Sequence, residues 1–413
     1  MPFARASLPN RWLQLLFGIV AMVTVANLQY SWVLFVAPLD AKFHWGRPAI
    51  QIAFTIFLLT ETWLVPVAGW FADKHGPRPV MIAAAALVAA AWAIDAAAGS
   101  LPVLYLAAAI GGLGAGAVYG CCVGNALKWF ADRRGLAVGL TTAAYGVGSA
   151  VTAIPILAMI ERHGYAAAFF RFGVAQGMVV LAMGLLLAAP GRPARRPRRG
   201  PPQAARDTAP LAMLRTRIFW LIYALYVVVY AAGIMAVAQL PAVAWNFGIA
   251  RMPVGFVGLV VPALAFALAI DRVLSGLTRP FFGWVSDLIG REITMAITFG
   301  LQGVGLWALY AFGRDPGSFV ALSGLVYFSG SQVFSLFQAA LADSFGVKYA
   351  TTNAGLLYTA KGTGALLIPV GTYLFHATGS WHAVFVLAGA VNLLAATLAL
   401  FVLRPRRFAA IKG

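Results

Sequence analysis

The stretch "GWFADKHGPR" occupies residues 69–78, and 214 residues later the chain reads "GWVSDLIGRE" at 283–292. Gly, Trp, Asp and Gly coincide at that one offset. A second echo pairs "TAAYGVGSA" at 142–150 with "YTAKGTGAL" at 358–366, so that Gly146 and Gly148 fall on Gly362 and Gly364, and Tyr145 falls on Lys361. Self-similarity at half the chain length means one unit built twice. The rest of the sequence says what that unit is.

The chain has 413 residues, 62% of them hydrophobic and only 10% charged. A soluble domain carries roughly a quarter charged residues. The apolar residues fall in twelve blocks, near 12–39, 49–71, 79–98, 102–127, 136–160, 167–189, 218–245, 253–285, 293–313, 317–342, 351–375 and 381–403. Each approaches the ~20 residues that cross a hydrocarbon core as a helix. Lipid cannot satisfy open backbone groups, and the blocks are too long for barrel strands, so all twelve are predicted as helices. The first is too long for a cleavable signal peptide and precedes no clear cleavage site.

One set of loops holds Arg5, Arg11, Lys74, Arg78, Lys128, Arg133, Arg134, eight arginines from Arg192 to Arg217, Arg291, Lys348, Arg404, Arg406, Arg407 and Lys412. The other set holds only Lys42, Arg47, Arg162, Arg171, Arg251 and Arg314. The positive-inside rule places both termini in the cytoplasm. The net charge of +18 is therefore mostly topology, and basic residues scattered over membrane loops argue against nucleic acid as a partner. The lipid bilayer is the expected surrounding, and a bacterial inner membrane the expected location. Cys121 and Cys122 are adjacent within a helix and read as packing residues, and the five histidines show no ligand spacing. No metal, cofactor or catalytic group is expected. The segment 190–216 is rich in Pro and Arg and reads as a flexible linker between residues 1–189 and 217–413.

These features resemble the major facilitator superfamily. Its G-x-x-x-D-x-x-G-x-[RK] loop matches Gly69, Asp73, Gly76 and Arg78, and in the second copy Gly283, Asp287, Gly290 and Arg291. The resemblance implies an all-α membrane protein of twelve transmembrane helices in two six-helix pseudo-repeats. The loop's chemistry is intelligible. Glycines let helix ends approach, the aspartate suits a neighbouring helix N-terminus, and the basic residue completes a charge cluster. Asp73, Arg78, Asp287 and Arg291 are thus expected to form and break contacts as the halves rock.

Two cations lie deep in the second half. Arg279 stands eight residues before Asp287, about 12 Å into the bilayer, and Lys361 eleven residues into its span, about 16 Å. A central Lys or Arg opposes insertion by roughly 2.5–3.5 kcal/mol and is functional by default. The acidic candidates to neutralise them are Glu61, Asp95 and Asp271. Asp271 is about 12 Å from Arg279 along the same helix axis, too far for a direct pair. The simplest expectation is a midplane cation pair with no resident counter-ion, awaiting a small anion. The alternative is that Glu61 pairs with Lys361, since spans two and eleven pack together in the superfamily.

"RPFFGWVSDLIGR", "TAKGT" around Lys361, "NLQYSW" (27–32), "VYG" (118–120), "KWFADRRGLA" (128–137) and "AAYGVG" (143–148) resemble the oxalate/formate antiporter family. That resemblance implies substrate carboxylates on Arg279 and Lys361, with Gln29, Tyr30, Tyr119 and Tyr145 lining the pocket. There are departures. Gly330 and Phe334 stand where the oxalate carrier has a Trp and a Tyr, a smaller and more apolar wall that suits a larger organic acid. Glu61 replaces a Gln. Ser275 stands where the related monocarboxylate/proton symporters carry an Asp.

The expected function is secondary transport of small mono- or dicarboxylate anions by a monomer, through alternating access. Two uncompensated cations would make empty return unfavourable and so favour exchange, with Glu61 as the coupling candidate. Proton-coupled monocarboxylate symport is the alternative, and a non-transporting receptor a third. Enzymatic activity is not expected: no nucleophile–base pair appears, and "GGLGAG" lies inside a span rather than after a strand.

Overall fold

A computed structural model describes residues 10–191, 202–204, 207–256 and 259–412. The elements follow the hydropathy blocks. The first six crossings are α1 (Arg11–Tyr30, continued by Val33–Phe43), α2 (Arg47–Trp63 and Val65–His75), α3 (Pro77–Ala97), α4 (Leu101–Trp129), α5 (134–163) and α6 (165–186). The second six are α7 (Arg217–Ala238, continued by Leu240–Asn246), α8 (Ala263–Ile289), α9 (Arg291–Phe312), α10 (Pro316–Gly330 and Val333–Phe345), α11 (Ala350–Ala365 and Ile368–Thr378) and α12 (from His382–Leu398 to Arg404–Lys412).

Among the described residues nine helices are individually long and apolar enough to cross a membrane. One of them is the α5–α6 rod, which Gly164 divides at φ 82°. The two crossings that fall short of that apolarity are α8 and α11, the helices that carry Arg279 and Lys361. Local chemistry explains the breaks. Pro66, Pro241 and Pro369 each occupy the second position of the helix after a break, where the missing N–H is tolerated. Gly76 (φ 86°, ψ 169°) and Gly290 (φ 100°, ψ 156°) occupy equivalent places in the two copied loops, in a backbone region essentially reserved for glycine.

The eighth apolar block differs from expectation. It opens on two strands rather than helix: Pro253–Phe256 (β1) pairs antiparallel with Leu259–Pro262 (β2), with Pro253 opposite Pro262. The run "PVGFVGLVVP" is short, β-branched and bounded by prolines, and apolar content alone cannot distinguish such a run from a helix. The linker also differs. Residues 192–201, 205 and 206 lie outside the described residues, but the C-terminal part of the segment is bound rather than free. Ala204 N donates to the Asp343 carbonyl (2.7 Å) and Thr208 N to that of Phe345 (2.8 Å). Asp207 Oδ1 accepts from Val347 N (2.8 Å) and Lys348 N (3.0 Å). A short helix, Pro210–Leu214, then leads into α7.

The packing that matters for the site is made by glycine. On α4, Gly112, Gly116, Gly120 and Gly124 form one stripe at four-residue spacing. The stripe lets α2 lie so close that a Cβ at Gly116 would be 2.4 Å from the Glu61 carbonyl oxygen. On α5, a Cβ at Gly139 would be 2.4 Å from the Arg279 carbonyl oxygen on α8. These contacts press α2 and α8 into the bundle and turn Glu61 and Arg279 inward.

Candidate functional site

Lys361 is 3% exposed and Glu61 0%. Lys361 Nζ donates to Glu61 Oε2 (3.0 Å), Glu61 Oε1 (3.2 Å), Tyr358 Oη (2.9 Å) and, at longer range, Gln29 Oε1 (3.4 Å). Tyr145 Oη (3.1 Å) and Tyr358 Oη (3.2 Å) donate to Glu61 Oε1. The expected cation pair without a counter-ion is therefore corrected, and the alternative holds: Lys361 pairs with Glu61. Depth along a helix is legible from rise per residue, but the direction a side chain faces depends on the neighbour, here the glycines Gly69, Gly355 and Gly362 at which α2 and α11 meet. Tyr358 was not anticipated. It stands three residues before Lys361, hence on the same helix face, and that spacing was the signal for it.

Arg279 is held differently. Its Nη1 donates to the Thr142 carbonyl on α5. Its guanidinium lies 4.6 Å from the Phe334 ring centroid, and a Cβ at Gly146 would be 3.7 Å from its Cζ. Arg279 Nε is buried without a hydrogen-bond partner. Among the described residues no carboxylate forms an ion pair with Arg279. One of the two cations is thus neutralised within the protein, and the other meets a carbonyl and a π face and, among the described residues, no carboxylate.

The anticipated pocket residues gather around these groups. The Tyr145 ring packs edge-on against Tyr30 (5.7 Å between centroids) and Tyr119 (5.8 Å), and Tyr119 stacks on Tyr358 (4.0 Å). A cavity of about 190 Å³ lies alongside, reached by Gln29, Tyr30, Tyr230, Asp271, Phe334 and Lys361. Gly330, Gln302 and Ser275 complete that wall. Arg279, Tyr119 and Tyr145 do not line the cavity directly; Phe334 stands against the guanidinium and faces the cavity.

The copied loops make a second constellation, at the end of the bundle where residues 10 and 412 lie. Asp73 accepts from Thr351 N (3.3 Å), Thr352 N (2.8 Å) and Thr352 Oγ1 (2.6 Å) at the first turn of α11. Asp287 accepts from Gly135 N (3.0 Å) and Leu136 N (2.9 Å) at the first turn of α5. Each aspartate thus meets the N-terminal dipole of a helix in the other half. The basic partners depart from the expected pattern. Arg291 pairs with Asp287 (2.6 Å), as the copied loop predicts, and also with Asp343 (2.8 Å), which takes Arg134 on its other oxygen (2.6 Å). Arg78 does not join Asp73: its Nε donates to the Leu187 carbonyl (3.0 Å) at the end of α6. Lys128, from α4, takes that place at 2.6 Å. The turn at Gly76 sends Arg78 into α3 and away from its own aspartate. Lys128, Arg134 and Asp343 come from three other helix ends, and although "KWFADRRGLA" holds the first two, nothing in that stretch names the aspartates they meet.

Among the described residues no group of three or more His, Cys, Asp or Glu could hold a metal ion. Twelve crossings in two glycine-packed halves, with charged groups buried between them, define a membrane carrier. The chain belongs to the Major Facilitator Superfamily, whose sequence model matches residues 17–276 and 263–412. Family and fold make it a transporter and not an enzyme. The oxalate:formate antiporter of Oxalobacter formigenes is 31% identical over 403 residues, covering 97% of this chain and 93% of that one. Monocarboxylate transporter 13 of Bos taurus is 26% identical over 396 residues, covering 92% and 86%. Among solved structures, the Escherichia coli fucose:proton symporter superposes with a TM-score of 0.68 at 15% identity, over 93% of this chain and 97% of that one. A human organic anion transporter superposes with a TM-score of 0.66, also at 15% identity, over 94% and 97%. These structural likenesses attest to the fold.

Proposed function

We propose that this protein is a secondary carrier of small organic carboxylates in a bacterial inner membrane, with both termini in the cytoplasm. It works as a monomer. Residues 1–189 and 217–413 rock about the central site, joined by the segment 190–216. Arg279 is the carboxylate anchor. Its planar fork matches a carboxylate in two-point fashion, and the absence of a carboxylate partner among the described residues is the observation that carries the reading. Gln29, Tyr30, Tyr119, Tyr145 and Lys361 form the polar and aromatic surround. The Asp73 and Asp287 contacts, with Lys128, Arg291, Arg134 and Asp343, hold the cytoplasmic ends together and release them in the opposite state. Arg78 is left with a structural role. The relatives that carry oxalate and formate or monocarboxylates support an organic anion as cargo.

Reconstitution tests this. Proteoliposomes loaded with a carboxylate should take up labelled carboxylate, and Arg279→Ala should abolish that uptake. Full uptake by the variant would refute the anchor.

A second reading, proton-coupled symport, is favoured by the Glu61–Lys361 pair. With Lys361 neutralised internally, the charge argument for obligatory exchange rests on Arg279 alone, and an empty carrier can return more easily. Uptake into empty liposomes driven by a proton gradient would decide for symport. Uptake that requires internal carboxylate would decide for exchange.

A further inference from the structure

Resting on the carboxylate-carrier reading, we infer that Glu61 limits the central site to cargo with a single negative charge, so that the substrate class is monocarboxylates and dicarboxylates are rejected. The charged groups at the site are Arg279 and Lys361, both positive, and two negative ones, Glu61 beside Lys361 and Asp271 in the cavity lining. Glu61 is no loose counter-ion. It is fully buried, and three donor groups converge on it: Lys361 Nζ, Tyr145 Oη and Tyr358 Oη. Its backbone is pinned against Gly116. The ammonium of Lys361 is equally occupied, by Glu61, Tyr358 and Gln29. A carboxylate arriving at Lys361 would have to displace Glu61 and leave that charge buried among rings. One cation, Arg279, therefore remains for cargo.

The remaining walls agree. Asp271, held by Ser275 Oγ at 3.0 Å, adds a further acidic group to the cavity lining. Phe334 and Tyr230 are uncharged rings. A Cβ at Gly330 would be 2.7 Å from Gln302 Nε2, so the small residue leaves that neutral amide in the cavity lining. The cavity accordingly suits one carboxylate with a neutral body, apolar or bearing a hydroxyl or keto group.

The test uses the purified full-length protein at fixed pH and ionic strength. Its affinities for acetate, lactate and pyruvate are compared with those for oxalate, malonate and succinate, by ligand-induced shift of the melting temperature. The same panel is run on Glu61→Gln, which keeps the shape and neutralises the group. Wild type should favour monocarboxylates by at least tenfold, and Glu61→Gln should move the ratio at least tenfold toward dicarboxylates. A wild type that binds dicarboxylates as well or better overturns the inference, even if the variant does not fold. A preserved ratio in a folded variant overturns the role of Glu61. Binding of neither class would instead refute the carboxylate reading on which the inference rests.

Discussion

Lys361 Nζ lies 3.0 Å from Glu61 Oε2, 300 residues away in the chain, and both groups are buried. The pair joins α2 of one half to α11 of the other at the level of the central cavity. It divides the two intramembrane cations into one that is balanced by the protein and one, Arg279, that no carboxylate of the described residues balances.

The two cations should respond differently to truncation. Arg279→Ala removes a buried charge that has no ion-pair partner, so transport is lost while the melting temperature stays within a few degrees of wild type. Arg279→Lys keeps the charge and loses the planar fork, and transport should fall at least tenfold. Uptake assays beside thermal unfolding in detergent check both outcomes.

Lys361→Met should instead destabilise the fold, because Glu61 is left as an uncompensated buried charge. Breaking such a pair by removing one partner costs about 3–5 kcal/mol. Adding Glu61→Gln to Lys361→Met should recover most of that loss without restoring transport. A double-mutant cycle on unfolding temperatures measures the coupling.

The two loop aspartates should act as equivalent locks. Asp73→Asn weakens the bond to Lys128 and the hold on the α11 N-terminus, each charge-assisted bond being worth about 1.5–3 kcal/mol. Lys128→Ala should reproduce the effect, and Arg78→Ala should not. The readout is thiol labelling of a cysteine replacing Ala354, which is 3% exposed where the halves meet. Labelling should rise severalfold in the first two variants and stay at the wild-type rate in the third.

Gly116→Leu should separate α2 from α4, since even a Cβ would come within 2.4 Å of the Glu61 carbonyl oxygen. Overpacking of this kind typically costs 1–3 kcal/mol. Transport should drop further than stability alone accounts for, because the Glu61 carboxylate shifts with its helix. By contrast, a Cβ at Gly76 meets no atom within 4 Å. Gly76→Ala should show only the backbone strain of its φ of 86°, about 1–3 kcal/mol, as a lowered melting temperature.

The sequence by itself determined the number of crossings, their order, the duplication and the place of each charge along its helix. Hydropathy sums along a segment and helical rise is constant, so these properties are local. The glycines at 76 and 290 were legible for the same reason. Only the tertiary structure decided which groups meet. It put Glu61 on Lys361, Lys128 rather than Arg78 on Asp73, and Asp343 between two arginines. It also made Pro253–Phe256 and Leu259–Pro262 paired strands, which hydropathy alone could not tell from helix. Pairing depends on how each helix is rotated and how closely it is pressed by a third. That rotation is set by contacts such as Gly116 against the Glu61 backbone, between residues that no sequence spacing relates.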